Sequence, residues 1–120
     1  PLPLMVEADR DRLTQVLVNL VSNAIKFRGE APAIALSAAA EGEDAVLRVR
    51  DYGPGVSAEV LPKLFTKFAG STVANTSGAG LGLAIAREIT IGLGGSLVLE
   101  STGPEGSVFA LRLPLATVSA

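Results

Sequence analysis

Three groups of residues in this chain of 120 are suited to holding a charged, planar or metal-bound ligand. The first is a polar stripe, Asn19, Asn23 and Lys26, whose spacings of four and three share one helical face. Helix interiors disfavour asparagine, because its amide competes for backbone hydrogen bonds. Two asparagines one turn apart are therefore either a solvated face or an oxygen-donor site. In the second case an amide oxygen is a hard ligand for magnesium and the lysine holds a phosphate. The second group, Asp51-Tyr52-Gly53-Pro54-Gly55, is either a tight turn or a carboxylate fixed at a strand end. Such a carboxylate can accept a hydrogen bond from a base amine, while the glycines let a flat ring approach the backbone. The third, Gly78-Ala79-Gly80-Leu81-Gly82-Leu83, is either a flexible loop start or an anion site, with N–H groups exposed at a positive helix terminus.

Other chemistry is excluded by composition. The chain has no cysteine and no histidine, which removes disulfides, thiol nucleophiles, Ser–His–Asp triads and the common zinc sites. Ten basic against twelve acidic residues give a net charge of −2, so no excess of charge favours nucleic acid or an anionic membrane. No apolar run approaches the roughly 18 residues of a membrane span, and nothing resembles a signal peptide. A P-loop needs Gly-Lys before Ser or Thr, and no lysine here follows a glycine. Gly53-Pro54-Gly55-Val56-Ser57-Ala58 fits a looser dinucleotide pattern, but that pattern belongs at the first strand of a parallel sheet. The expectation is a single soluble cytoplasmic domain, residues 1–120, cut from a longer protein because it opens on Pro1.

The elements that would position these groups follow from periodicity. Leu4 to Ala8 suits a short buried strand. Asp9 or Asp11 can cap a helix in which Leu13, Val16, Leu17, Leu20, Val21 and Ala24 fall at helical spacing, with Gly29 and Pro32 stopping it. Ile34 to Ala40 and Ala45 to Arg50 read as a hairpin. Ser57 can cap a short helix to about Phe68, and the aperiodic stretch from Ala69 to Ser77 reads as a mobile loop. Leu81 to Ile91 is helical in pattern, ended by Gly92, Gly94 and Gly95. Ser96 to Ser101 and Ser107 to Leu113 form a second hairpin. About five strands and three helices in this order predict an α+β two-layer sandwich, its mostly antiparallel sheet covered by helices on one face.

Taken together, these motifs resemble the catalytic ATP-binding domain of two-component sensor histidine kinases, within the gyrase, chaperone, kinase and mismatch-repair ATPase superfamily. The segment from Asp9 to Phe27 is similar to that family's asparagine box, and Asp51 to Gly55 to its first glycine box. Leu64-Phe65-Thr66-Lys67-Phe68 is similar to its phenylalanine box. Gly78 to Ile85 and Gly106-Ser107-Val108-Phe109 are similar to its remaining glycine boxes. The resemblance runs from Ala8 to about Leu113 and implies a Bergerat-type ATP-binding fold, with a mixed sheet.

It also implies roles. Asn23 would bind magnesium, with Asn19 helping at the phosphates or the metal; Lys26 would contact a phosphate and Phe27 would stack on adenine. Asp51 would accept the adenine amine hydrogen bond, with Gly53 in its turn, Gly55 beneath the base and Ser107 near a bridging water. Gly78, Gly80, Leu81, Gly82 and Leu83 would meet the phosphates. The segment from about Ala69 to Gly78 would form an ATP lid hinged by Phe65 and Phe68. Cationic help at the γ-phosphate would come from Lys63, Lys67 or Arg87. Superfamily members that hydrolyse ATP usually hold a glutamate base where Asn19 stands, and an amide cannot accept a proton. The implied function is donation of the γ-phosphate of Mg-ATP to a histidine on a separate dimerisation domain of the same protein. A response regulator is then reached through that domain, without nucleic acid or direct membrane contact. The alternative is a nucleotide-sensing pseudokinase module.

Overall fold

The structure is a computed structural model that describes residues 6, 8–27, 33–65 and 79–115. Helix α1 (Arg10–Phe27) leads to a hairpin of β1 (Ile34–Glu41) and β2 (Asp44–Asp51); helix α2 (Ala79–Gly92) leads to a second hairpin of β3 (Ser96–Gly103) and β4 (Gly106–Pro114). The strands lie in the order β1-β2-β4-β3 and every pair is antiparallel. Both helices pack on one face, α1 over β2 and α2 over β3, and against each other. This is the α+β sandwich that the patterning predicts. No helix among the described residues is long and apolar enough to cross a membrane.

Local chemistry accounts for the boundaries. Asp9 caps α1, its Oδ1 accepting from the N–H groups of Asp11 at 2.9 Å and Arg12 at 3.1 Å. Gly94, at φ +85, ends α2 in the left-handed conformation, and the Gly95 N–H returns to the Thr90 carbonyl at 2.9 Å. Val16, Leu20 and Ala24 of α1 meet Leu83 and Ala86 of α2 over Val49, Leu97, Phe109, Leu111 and Leu113 of the sheet.

Of the strand expected from Leu4 to Ala8, the described residues show one antiparallel bridge, Val6 with Leu115, and Leu4, Met5 and Glu7 lie outside them. Two expectations change. Of the third helix, expected from Ser57 to about Phe68, the described part to Phe65 is a turn followed by a 3-10 helix at Leu61–Lys63, and residues 66–68 lie outside the described residues. Pro62 has no N–H to contribute to an α-helical ladder, so the segment closes on shorter bonds such as Lys63 N–H to Val60 carbonyl at 2.8 Å. No parallel pair accompanies the described strands, so the sheet is antiparallel rather than mixed. The expected mobile loop and lid, 69–78, lie outside the described residues.

The sheet's two faces differ in chemistry. Toward the helices, Leu47, Val49 and Asp51 of β2 stand opposite Leu111, Phe109 and Ser107 of β4. On the far face Arg48 bonds Glu41 at 2.7 Å and grips Glu100 at 2.7 and 3.0 Å, while Arg112 reaches Glu41 and Asp44 at 3.4 Å each. One ionic cluster thus ties all four strands. The hydrogen bonds from Arg48 hold both Glu41 and Glu100 below the ordinary carboxylate value, and those same bonds push Arg48 upward. Their contribution is present above the ordinary carboxylate range and is lost as pH falls through the lowered values.

The hairpin closing β3 and β4 is tightly specified. Gly106 sits at φ +127, and a Cβ there would overlap the Asp51 carbonyl oxygen, whereas a Cβ on Gly103 would meet nothing within 4 Å. Gly106→Ala should therefore lower unfolding free energy by about 2 kcal/mol or more, with Gly103→Ala within about 1 kcal/mol of wild type. Urea denaturation of the two variants checks the contrast.

Candidate functional site

Period-2 alternation along β2 and β4 turns polar at one end of the sheet. Below lie apolar rows; the last row on the helix-facing side is Asp51 on β2, Ser107 on β4 and Thr102 on β3, each directly paired with its neighbour. Asp51 is 1% exposed and Ser107 2%. The Asp51 Oδ1 accepts the Gly53 N–H at 2.9 Å, so the carboxylate folds its own turn. Among the described residues no cation pairs with it. Burying a polar group is costly unless it is hydrogen-bonded, and the Gly53 N–H supplies that bond. Gly55, at φ +86, lies directly on the Gly103 carbonyl, where any side chain would collide.

The polar stripe of α1 runs beside the start of α2. Asn19 Nδ2 donates to the Gly82 carbonyl at 3.1 Å, and its Oδ1 accepts from Gln15 at 3.3 Å. Asn23, one turn on, is 7% exposed, and its Nδ2 has no hydrogen-bond partner among the described residues. Lys26 lies at the exposed end of the stripe, its ammonium lowered slightly by desolvation. An orphaned amide inside a protein costs about 1–3 kcal/mol, so Asn23 points to a ligand that would satisfy it.

Gly80 and Leu81 belong to the first turn of α2, followed by Gly82 and Leu83. The Leu83 side chain is buried in the core, so only its backbone can face an anion. Arg87 lies over the Phe65 ring at 4.9 Å, and that ring packs edge-on against Phe109 at 6.1 Å. The guanidinium therefore stacks on an aromatic ring that is itself anchored in the core. Lys67, Gly78 and the Phe27 side chain lie outside the described residues. Sequence spacing missed Thr102. Strict alternation from Leu99 would turn Ser101 inward, and the register shift between Leu99 and Ser101 puts Thr102 there instead.

No group of three or more acidic, histidine or cysteine side chains that could hold a metal exists among the described residues. The donors present are amide oxygens. That set fits magnesium, which keeps several waters and takes few protein ligands when it accompanies phosphates.

Comparison with known proteins shows the family and supports the fold. Residues 8–117 match the family of histidine kinase-, DNA gyrase B-, and HSP90-like ATPases. The signal transduction histidine-protein kinase AfsQ2 of Streptomyces coelicolor is 41% identical over 108 residues, 88% of this chain and 20% of that protein. The sensor histidine kinase ZraS of Escherichia coli is 38% identical over 110 residues, 92% of this chain and 23% of that protein. The chain thus spans about a fifth of the length of these relatives. Full-length ShkA in complex with AMPPNP superposes with a TM-score of 0.80 at 34% identity, covering 98% of this chain and 24% of that one. The nucleotide-free catalytic domain of histidine kinase ThkA gives 0.76 at 37% identity, covering 91% and 70%.

The two asparagines should respond oppositely to removal. Asn19→Ala should cost about 1 kcal/mol by severing the bond to Gly82. Asn23→Leu should leave the ligand-free protein as stable or up to about 1 kcal/mol more so, since a buried unpaired donor disappears. Chemical denaturation without nucleotide distinguishes them.

Proposed function

Since the chain belongs to the histidine kinase-, DNA gyrase B-, and HSP90-like ATPase family, we propose that it binds Mg-ATP and donates the γ-phosphate to a histidine on a separate dimerisation domain. The observation that carries this reading is a pair of buried polar groups, one on the sheet and one on α1. They are a buried carboxylate at a strand end and a buried amide with an unpartnered N–H. One suits the amine edge of a base, the other the charged end of the same ligand. The AMPPNP bound to ShkA supports an adenine nucleotide as that ligand.

Asp51 accepts the adenine amine, its turn held by Gly53, while Gly55 forms bare backbone beneath the ring. Ser107 adds a hydroxyl beside the carboxylate, and Phe27 stacks on the base. Magnesium would be held by the Asn23 oxygen together with phosphate oxygens, with Asn19 second, and would supply charge neutralisation. Lys26 and Lys67 would offer ammonium groups to the phosphates, the N–H groups of Gly80, Leu81, Gly82 and Leu83 present the positive start of α2, and Gly78 is assigned to the same phosphates from its place in the sequence motif. The segment 69–78 is assigned as lid from its glycine-rich, uncharged composition.

Phosphoryl transfer needs little covalent work from the protein beyond positioning and electrostatic stabilisation. A histidine nitrogen forms the new bond to phosphorus as the bond to the β-phosphate oxygen breaks and ADP leaves. This chain has no histidine, so the acceptor belongs to another domain, as the much longer sensor-kinase relatives support. Asn19 supports transfer over hydrolysis, because no carboxylate stands there to activate water. The partners are then the acceptor domain of the same cytoplasmic protein and a response regulator served by it.

Asp51→Asn should weaken ATP binding on the order of ten- to a hundredfold, the worth of a charge-assisted hydrogen bond. Its amide oxygen can still cap Gly53, so folding should survive. Equal calorimetric affinities would refute the base-reading role. Asn23→Ala should abolish the enhancement of binding by magnesium while sparing metal-free binding; a full enhancement in the variant would refute the metal role. Incubated alone with γ-labelled ATP, the chain should neither label itself nor release phosphate, and a cognate histidine-bearing domain should become labelled on addition. Robust phosphate release by the chain alone would favour a hydrolase.

A further inference from the structure

Thr102 enters the polar row through a slip in the sheet. After Leu99 pairs with Phe109, β3 accommodates one additional residue, and Ser101 then pairs with Val108 and Thr102 with Ser107. Glu100 lies on the far face, where Arg48 grips it, and the bulge turns Ser101 to that side as well and delivers Thr102 to the helix-facing side. There its hydroxyl meets two groups from different elements. The Val56 N–H donates to Thr102 Oγ1 at 2.8 Å, and Thr102 Oγ1 lies 2.7 Å from Ser107 Oγ. Gly55, next to Val56, rests on the carbonyl of Gly103, next to Thr102.

A hydroxyl has one hydrogen to donate and two lone pairs. Only one hydrogen can lie between Thr102 and Ser107, so one of the two hydroxyls is left with its hydrogen for something else. Thr102 has already accepted one N–H, which polarises its O–H as a donor. Ser107 stands between Thr102 and Asp51 in the row, on the side where a base would sit.

We propose that Thr102 is a positioning residue for nucleobase recognition: it donates to Ser107, so that the Ser107 hydrogen serves the ligand or its bridging water, and it pins the Gly55–Val56 backbone beneath the ring. The assignment rests on the nucleotide-site reading above and adds a residue that contacts neither base nor phosphate. Its effect is exerted at the base and not at the phosphates. Losing Thr102 should therefore blur the choice of base, whereas loosening the fold should weaken all nucleotides alike.

The test is calorimetric binding of Mg-ATP and Mg-GTP to the 120-residue chain, as wild type, Thr102→Val, Thr102→Ser, Ser107→Ala and the Thr102→Val/Ser107→Ala double variant. Thr102→Val keeps the shape without the hydroxyl and should weaken ATP on the order of five- to tenfold, with a smaller effect on GTP. Thr102→Ser should restore wild-type affinity to within about twofold. Because Thr102 acts through Ser107, the valine substitution should cost clearly less in the Ser107→Ala background. If the valine variant does not fold, Thr102→Cys provides the same contrast with a weak donor and acceptor. Unchanged ATP affinity, equal losses for both nucleotides, failure of serine to rescue, or full additivity with Ser107→Ala would each overturn the proposal. A wild-type chain that binds no Mg-ATP would instead overturn the nucleotide-site reading beneath it.

Discussion

A carboxylate withdrawn from water at the end of an apolar sheet is the constraint around which the rest is arranged. Asp51 sits 1% exposed, and burial of an ionisable group without a countercharge is unfavourable unless hydrogen bonds and a ligand take the place of water. The protein supplies part of that replacement by folding the chain back so that Gly53 donates to it. The turn in turn requires Gly55 at a left-handed angle against Gly103, and Gly106 against the Asp51 carbonyl. Four glycines and a carboxylate thereby meet at this end of the sheet. The glycines give the close approach, and the carboxylate makes that approach useful.

The helical side of the site carries a second incomplete group. Asn19 joins α1 to the start of α2 through the Gly82 carbonyl, so the two helices hold their polar ends at a set separation. Asn23 is then carried into a buried position where its N–H groups find no partner among the described residues. A structure optimised for stability alone would place an apolar side chain there. Stability has been sacrificed at Asn23 and secured elsewhere, in the apolar rows between helices and sheet and in the ionic cluster on the far face. That cluster joins every strand, although each exposed pair contributes little individually.

Much of this was legible from residues alone. The 3.6-residue spacing of Val16, Leu20 and Ala24 and the two runs of β-type residues separated by turns fix element type, because burial of one face leaves a periodic trace. The turn at Asp51, Gly53 and Gly55 is legible too, since two glycines and a proline cannot continue a strand and the aspartate can accept an N–H of its own turn. The segment after Ser57 differs from its pattern because apolar spacing there is helical while Pro62 withholds the N–H that an α-helix would use. Pattern and backbone chemistry disagree at that point, and the backbone prevails.

What tertiary structure alone decided is the pairing of groups distant in sequence. Alternation along β3 assigns Ser101 to the inner face, and the bulge, invisible to a period-2 reading, assigns Thr102 instead. The lack of a partner for Asn23 is likewise a property of its surroundings and not of its helix. Sequence determines which residues can form a helix, a strand or a left-handed turn, because those preferences are local. Which hydroxyl meets which, and which amide is left unsatisfied, depends on register and packing between elements, and those are set only when the sheet and helices close on one another.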